Sequence, residues 1–197
     1  MKKIVPVVLA VSVGLVAISP AIASAVATTA NTTINATVAT AISMTTSGTV
    51  ALAVTPTSSG TASSASDAVS VSTNDALGYN LSLATSTATT TLTNGGNTIA
   101  GSAGTFAAPA ALATNTWGYR VDGAGTFGAG PTSAQTNAAS LTGTWAAVPA
   151  SGSPQQLKTT SATANNDITT VWYGVKTDLS KASGVYSNTV TYTATGN

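Results

Sequence analysis

The chain of 197 residues contains no cysteine, no histidine and no glutamate. Without histidine or cysteine, a Ser-His-Asp triad, a Cys-His dyad and a His- or Cys-ligated zinc site are all excluded. No disulfide can staple the fold, so its stability must come from burial and strand pairing. Charge is also scarce: Asp, Lys and Arg make up 6% of the chain, against roughly 25% in ordinary globular proteins. The apolar share of 43% is near normal, so this is not a charge-rich disordered tail. The six Lys and Arg do not cluster, which argues against a nucleic-acid partner.

Long apolar runs are missing with one exception. "MKKIVPVVLAVSVGLVAISPAIASA" places two lysines before an apolar run from Ile4 to Ile18, and Ala23-Ser24-Ala25 follows as a small-x-small cleavage site. This is the layout of a secretory signal peptide. A run of about 15 residues is shorter than the ~20 that a spanning helix needs. The expectation is a leader over 1–25, a secreted or cell-surface product, and no membrane span after cleavage. Lys2 and Lys3 leave with the leader, so four basic residues then face five aspartates and the +1 of the full chain changes sign. What remains, about 172 residues, suits a single domain with a sizeable core.

The sequence is rich in threonine, alanine, serine and asparagine, and its periodicity is that of strands. Residues 26–48 carry Ile34, Val38 and Ile42 at a spacing of four. Threonine favours a pleated surface over a helix, so a flexible start leading into a strand near Thr37–Met44 is expected. In "GTVALAVTP" Val50, Leu52 and Val54 alternate with Thr49, Ala51 and Ala53, a period-two strand. "TSSGTASSAS" reads as a polar connection. Asp67–Asp75 and Gly78–Ser86 alternate again, with Tyr79, Leu81 and Leu83 on one face, and their separation points to a hairpin or bulged pair. Asn94-Gly95-Gly96-Asn97, flanked by Leu92 and Ile99, is a strong turn signal. Gly101–Leu112 fits a short helix or a loop packed over the sheet.

Trp117, Tyr119 and Val121 mark a core strand that leads into a glycine-rich excursion, and "QQLKTTSA" is a further short strand. In "DITTVWYGVKTD" Val171, Tyr173 and Val175 share one face while Thr170, Trp172 and Gly174 share the other. In "VYSNTVTYTA" Tyr186, Val190 and Tyr192 are expected in the core and the threonines in water. The predicted organisation is a leader over 1–25, a Thr/Ala-rich segment over 26–45 that is a possible donor strand, and an antiparallel sandwich over 46–197.

Candidate chemistry is sparse. Asp67, Asp75, Asp122, Asp167 and Asp178 are the only carboxylate side chains. Each sits near turn residues, where aspartate accepts local backbone hydrogen bonds. Paired carboxylates for glycoside hydrolysis need a cleft, and calcium needs several converging oxygens that no D-x-D-x-D loop supplies. "GAGTFG" at Gly123–Gly128 matches a dinucleotide motif, but no strand–helix context surrounds it, so it reads as a flexible surface loop. Three N-x-[ST] sequons, at Asn31, Asn35 and Asn80, are chance matches in so Asn/Thr-rich a chain. Trp117 and Trp145 lie in apolar stretches and are expected in the core. Trp172 lies opposite the apolar face of its strand. It is the candidate for contact with a ligand or partner, or for a second layer.

The segments "VSVSTNDALGYNLSL", "TWGYRVDG" and "VWYGVKTDLSKASGVYSNTVTYTA" resemble, in this order, a set of small secreted β-sandwich surface proteins from candidate-phylum bacteria. The ending is also similar to the closing strand of spore-coat-U-like and fimbrial subunit domains. The resemblance spans roughly Val69 to Ala194 and implies an immunoglobulin-like sandwich at the cell surface. The chain departs from many fimbrial subunits in lacking cysteine, and no functional residue is carried over. The expected function is a non-catalytic structural or adhesive surface protein, pilin-like or surface-layer-like, with no cofactor. Its partner would be a second copy of itself, or a surface glycan or protein. The alternative is a carbohydrate- or cell-wall-binding module using Trp172 and neighbouring tyrosines.

Overall fold

The computed structural model describes residues 26–197, and the expected signal-peptide helix lies outside the described residues. The chain divides into two units, Met1–Thr37 and Val38–Asn197. In the first, residues 26–37 are without regular structure and every side chain is exposed.

The second unit is all-β, with no helix among the described residues. Its strands are β1 (Ile42–Thr45), β2 (Thr61–Thr73), β3 (Tyr79–Thr85), β4 (Leu92–Asn94), β5 (Asn97–Gly101), β6 (Thr116–Val121), β7 (Gln135–Ala138), β8 (Gln155–Thr159), β9 (Ala164–Thr177) and β10 (Val190–Gly196). Seven form one sheet in the order β1-β2-β9-β6-β5-β4, with β7 beside β2; β10-β3-β8 form a second. The backbone of the molecule is the β2–β9 pair, antiparallel from Thr61↔Thr177 to Thr73↔Ala164.

Strand alternation builds the core. Val69 and Val71 of β2, Trp117, Tyr119 and Val121 of β6, and Val171, Tyr173 and Val175 of β9 share one buried cluster with Tyr79, Leu81 and Leu83 of β3 and Leu157 of β8. Val190, Tyr192 and Ala194 of β10 pack against it, half-buried. Burial of each large apolar side chain contributes about 1.5–3 kcal/mol. The threonine face of β10 is exposed, as expected. The turn signal at Asn94 is also met: β4 and β5 form a hairpin with Asn94 opposite Asn97 across Gly95-Gly96.

Several expectations are corrected. The polar connection expected over "TSSGTASSAS" is largely strand: β2 starts at Thr61, with Ala62, Ser63 and Ser64 all buried. Small residues serve there because β9 flanks one edge and β7 the other. Asp67–Asp75 and Gly78–Ser86 do not form a hairpin; β2 and β3 belong to different sheets, so the turn between them crosses the sandwich. The sheet is not wholly antiparallel, since β5 runs parallel to β6 through Ala100↔Thr116 and Gly101↔Trp117. The connection between them, residues 102–115, has the length a parallel crossover requires. The first strand is confined to Ile42–Thr45. "GTVALAVTP" keeps its alternation of half-buried and exposed side chains but joins no ladder.

Candidate functional site

Residues 46–56 join no ladder, and the reason lies in β2. β1 pairs with the Ser70–Thr73 end of β2, while β7 takes the same edge at Ala62–Ser64. The chain between Thr46 and Pro56 is thus kept off the ladder and held by side chains instead. The Asp67 carboxylate accepts from the backbone N–H and Oγ of Ser47, each at 2.8 Å. Ser63 Oγ donates to the Ala53 carbonyl at 2.6 Å, and the Thr55 N–H donates to Asn137 Oδ1 at 2.6 Å. Among the described residues, the N–H groups of Thr49 to Val54 have no protein partner. Val50, Leu52 and Val54 still pack against the main core, half-buried.

β10 presents a free edge. It pairs with β3 from Val190↔Thr85 to Gly196↔Tyr79, and its far edge pairs with nothing among the described residues. An unpaired strand edge is a template for another strand.

Behind β10 lies a buried polar group. Asp67 is 5% exposed, and the hydroxyls of Tyr173 and Tyr192 are 2.7 Å apart. Burial pushes both phenols well above their ordinary range. Asp67 raises each further, and the Tyr192 phenol is partly relieved by its bond to Tyr173. Both therefore stay neutral at physiological pH and act as hydrogen-bond partners rather than as bases.

Trp172 is placed on the opposite face of the large sheet. It is 6% exposed and forms a second small core with Leu112, Trp145 and Leu141. The loops before β6 and after β7 thus form a second layer over β9, and the indole faces neither solvent nor a free ligand surface. Gly174 makes room for Trp145, since a Cβ there would meet Trp145 Cζ3 at 2.9 Å and Leu141 Cδ1 at 2.6 Å. Beside them Arg120 is fully buried. Its Nε donates to Asp122 Oδ1 at 3.0 Å, and its Nη2 donates to the carbonyls of Phe127 and Gly128. Asp122 Oδ2 accepts from Trp172 Nε1 at 3.0 Å. This arginine pins the glycine-rich loop, and Phe127 packs edge-on against Tyr119 and Phe106. The expected flexible surface loop is instead anchored.

The remaining aspartates divide in two. Asp75 and Asp178 serve local turns, accepting from the N–H of Leu77 and of Ser180. Asp167 ties the sheets together, binding Lys158 Nζ at 2.6 Å and the Tyr79 hydroxyl at 2.8 Å. Burial raises its carboxyl, but the bonds from Lys158 and Tyr79 outweigh that and leave it below its ordinary value. No group of three or more carboxylates able to hold a metal is found among the described residues. Two shallow surface depressions are present. One of about 170 Å³ is lined by Thr85, Ser86, Ser151, Pro154 and Thr191, and one of about 190 Å³ by Pro131, Gln135 and Thr142, among others. Neither is lined by a charged residue. No family model, curated protein or solved structure matches this chain.

The free edge of β10 and the unladdered chain at 46–56 were missed by sequence reasoning, although one signal in the sequence bears on the segment before them. From Val26 to Val54 the even positions Val26, Ala30, Ile34, Val38, Ile42, Met44, Val50, Leu52 and Val54 are apolar, and Asn31 and Asn35 fall on odd positions. In sequence, an apolar pattern of period two therefore continues from the N-terminal segment to Val54. In the first segment it has no cover: Val26, Ile34 and Val38 are 83%, 89% and 81% exposed.

Proposed function

We propose that this protein is a non-catalytic structural or adhesive component of the cell surface, secreted through its leader, that works by strand addition between copies. The observation that carries the reading is the far edge of β10, which no strand pairs among the described residues. The topology adds support for an immunoglobulin-like sandwich. That fold sets strands A, B, E and D against C, F and G. Taking β1, β2, β3, β6, β9 and β10 as A to F reproduces both the chain order and the sheet orders β1-β2-β9-β6 and β10-β3. The position of G, beside β10, is filled by nothing among the described residues.

A strand from a second copy supplies what is missing there: backbone partners for β10 and apolar side chains for the half-buried rim. The segment Val26–Thr40 has the composition for it, with one apolar face and neither charge, proline nor glycine. The carbohydrate-binding alternative drew on an accessible Trp172, and the covered indole removes that support.

The test is sedimentation and electron microscopy of the leader-free protein across a concentration series. Oligomers or fibres are expected, and the double substitution Ile34→Asp, Val38→Asp should abolish them while leaving the melting temperature unchanged. A wild-type protein that stays monomeric at high concentration refutes the proposal.

A further inference from the structure

The root of the exposed segment is held by one side chain. Asn74, just after β2, accepts the Ala41 N–H on Oδ1 at 2.7 Å and donates from Nδ2 to the Ala39 carbonyl at 2.9 Å. Its own N–H donates to the Ala41 carbonyl at 3.3 Å, and Thr73 Oγ1 donates to that same carbonyl at 2.9 Å. A carboxamide carries the same donor and acceptor as a peptide group. Asn74 thus extends the β1 ladder by imitating a peptide of β2 beyond the end of that strand. Ala39 and Ala41 are thereby fixed beside the end of β2, just before β1 begins at Ile42. Asn74, Ala39 and Ala41 are exposed and none of the three joins the hydrophobic core, while Thr73 beside them is buried.

We infer that Asn74 is a positioning residue for strand addition, a clamp that keeps the root of the donor segment extended and in phase before a second copy engages it. This rests on the function proposed above. Ordering a residue's backbone costs about 1–2 kcal/mol, so holding two to three residues ready strengthens association without any contact to the partner.

The experiment compares wild type, Asn74→Ala and Asn74→Asp in the full leader-free chain. Hydrogen exchange is read at the Ala41 amide, stability by melting, and assembly by sedimentation across concentration. Asn74→Ala should expose the Ala41 amide, leave the melting temperature within about 2 °C, and weaken association by roughly tenfold or more. Asn74→Asp keeps the acceptor for Ala41 but loses the donor to Ala39, and it should fall between the two. If wild type assembles and Asn74→Ala assembles equally well, the clamp is refuted while strand addition stands. If Ala41 is unprotected in wild type, the clamp is refuted whatever assembly does. A wild type that never assembles refutes both.

Discussion

Replacing Asp122 by alanine probes the second layer most directly. Arg120 is fully buried, and Asp122, whose side chain is 33% exposed, supplies its only carboxylate, 3.0 Å from Nε. The other acceptors are the neutral carbonyls of Phe127, Gly128 and Thr144. Removing one partner of a fully buried ion pair costs about 3–5 kcal/mol, because the remaining charge is stranded. The partial exposure of Asp122 lowers that figure, while the orphaned Trp172 Nε1 adds about 1 kcal/mol. A net loss of about 3 kcal/mol is expected. In a chain of this size each kcal/mol shifts the midpoint by about 2–4 °C, so thermal unfolding should fall by roughly 6–12 °C. Asp122→Asn keeps an acceptor and loses only the charge, so it should cost less, about 1–2 kcal/mol. In an Arg120→Met background, Asp122→Ala should cost little, giving a coupling of about 2 kcal/mol in a double-mutant cycle. A loss below about 0.5 kcal/mol for Asp122→Ala, or strict additivity in the cycle, would refute the reasoning.

Gly174→Ala should destabilise by about 1–3 kcal/mol in urea unfolding, because the added methyl displaces the Trp145 ring from β9. Asp167 titrates below its ordinary value in the folded protein. Its contribution is therefore present above the unfolded pKa of about 3.9 and is lost as pH falls below it. Part exposure limits it to roughly 0.2–1 kcal/mol, and melting curves of Asp167→Asn from pH 2 to 6 should show that increment missing. Tyr79, Tyr119, Tyr173 and Tyr192 are shifted the other way, burial being the first cause for each. The stability carried by their neutral forms is complete below the unfolded pKa of about 10 and is lost as pH rises beyond it. The melting temperature should drop between pH 10 and 11.5, and less steeply in Tyr119→Phe.

Where local chemistry decides the structure, the sequence was readable. Asn94-Gly95-Gly96-Asn97 closes a hairpin because glycine reaches the required turn geometry, and the Val171/Tyr173/Val175 face follows from alternation alone. The first half of β2 was unreadable because its burial comes from its neighbours: Ala62, Ser63 and Ser64 are buried between β9 and β7, not by their own hydrophobicity. Nothing local to Asn74–Gly78 says whether the turn returns to the same sheet or crosses to the other. At Thr49–Val54 the faces were legible but the pairing was not, since the ladder is replaced by the side chains of Asp67, Ser63 and Asn137. In the N-terminal segment the period of two was masked by a spacing of four, because Thr28, Thr32 and Ala36 stand at even positions without being strongly apolar. Trp172 was visibly off the core face, but its cover comes from residues 112, 141 and 145, distant in the chain.

The few charges of this molecule are largely spent inward. Arg120 and Asp67 are buried, Lys158 and Asp167 neutralise each other, and the charges that remain at the surface, Asp75, Asp122, Lys176, Asp178 and Lys181, are few and of both signs. Such a particle is almost a neutral colloid. No field of its own repels a second copy or steers it in, so the rate at which copies meet should barely change with ionic strength, unlike that of charge-guided pairs. A strand face with no charge to discharge and no proton to release would engage alike in fresh water, brine or mild acid.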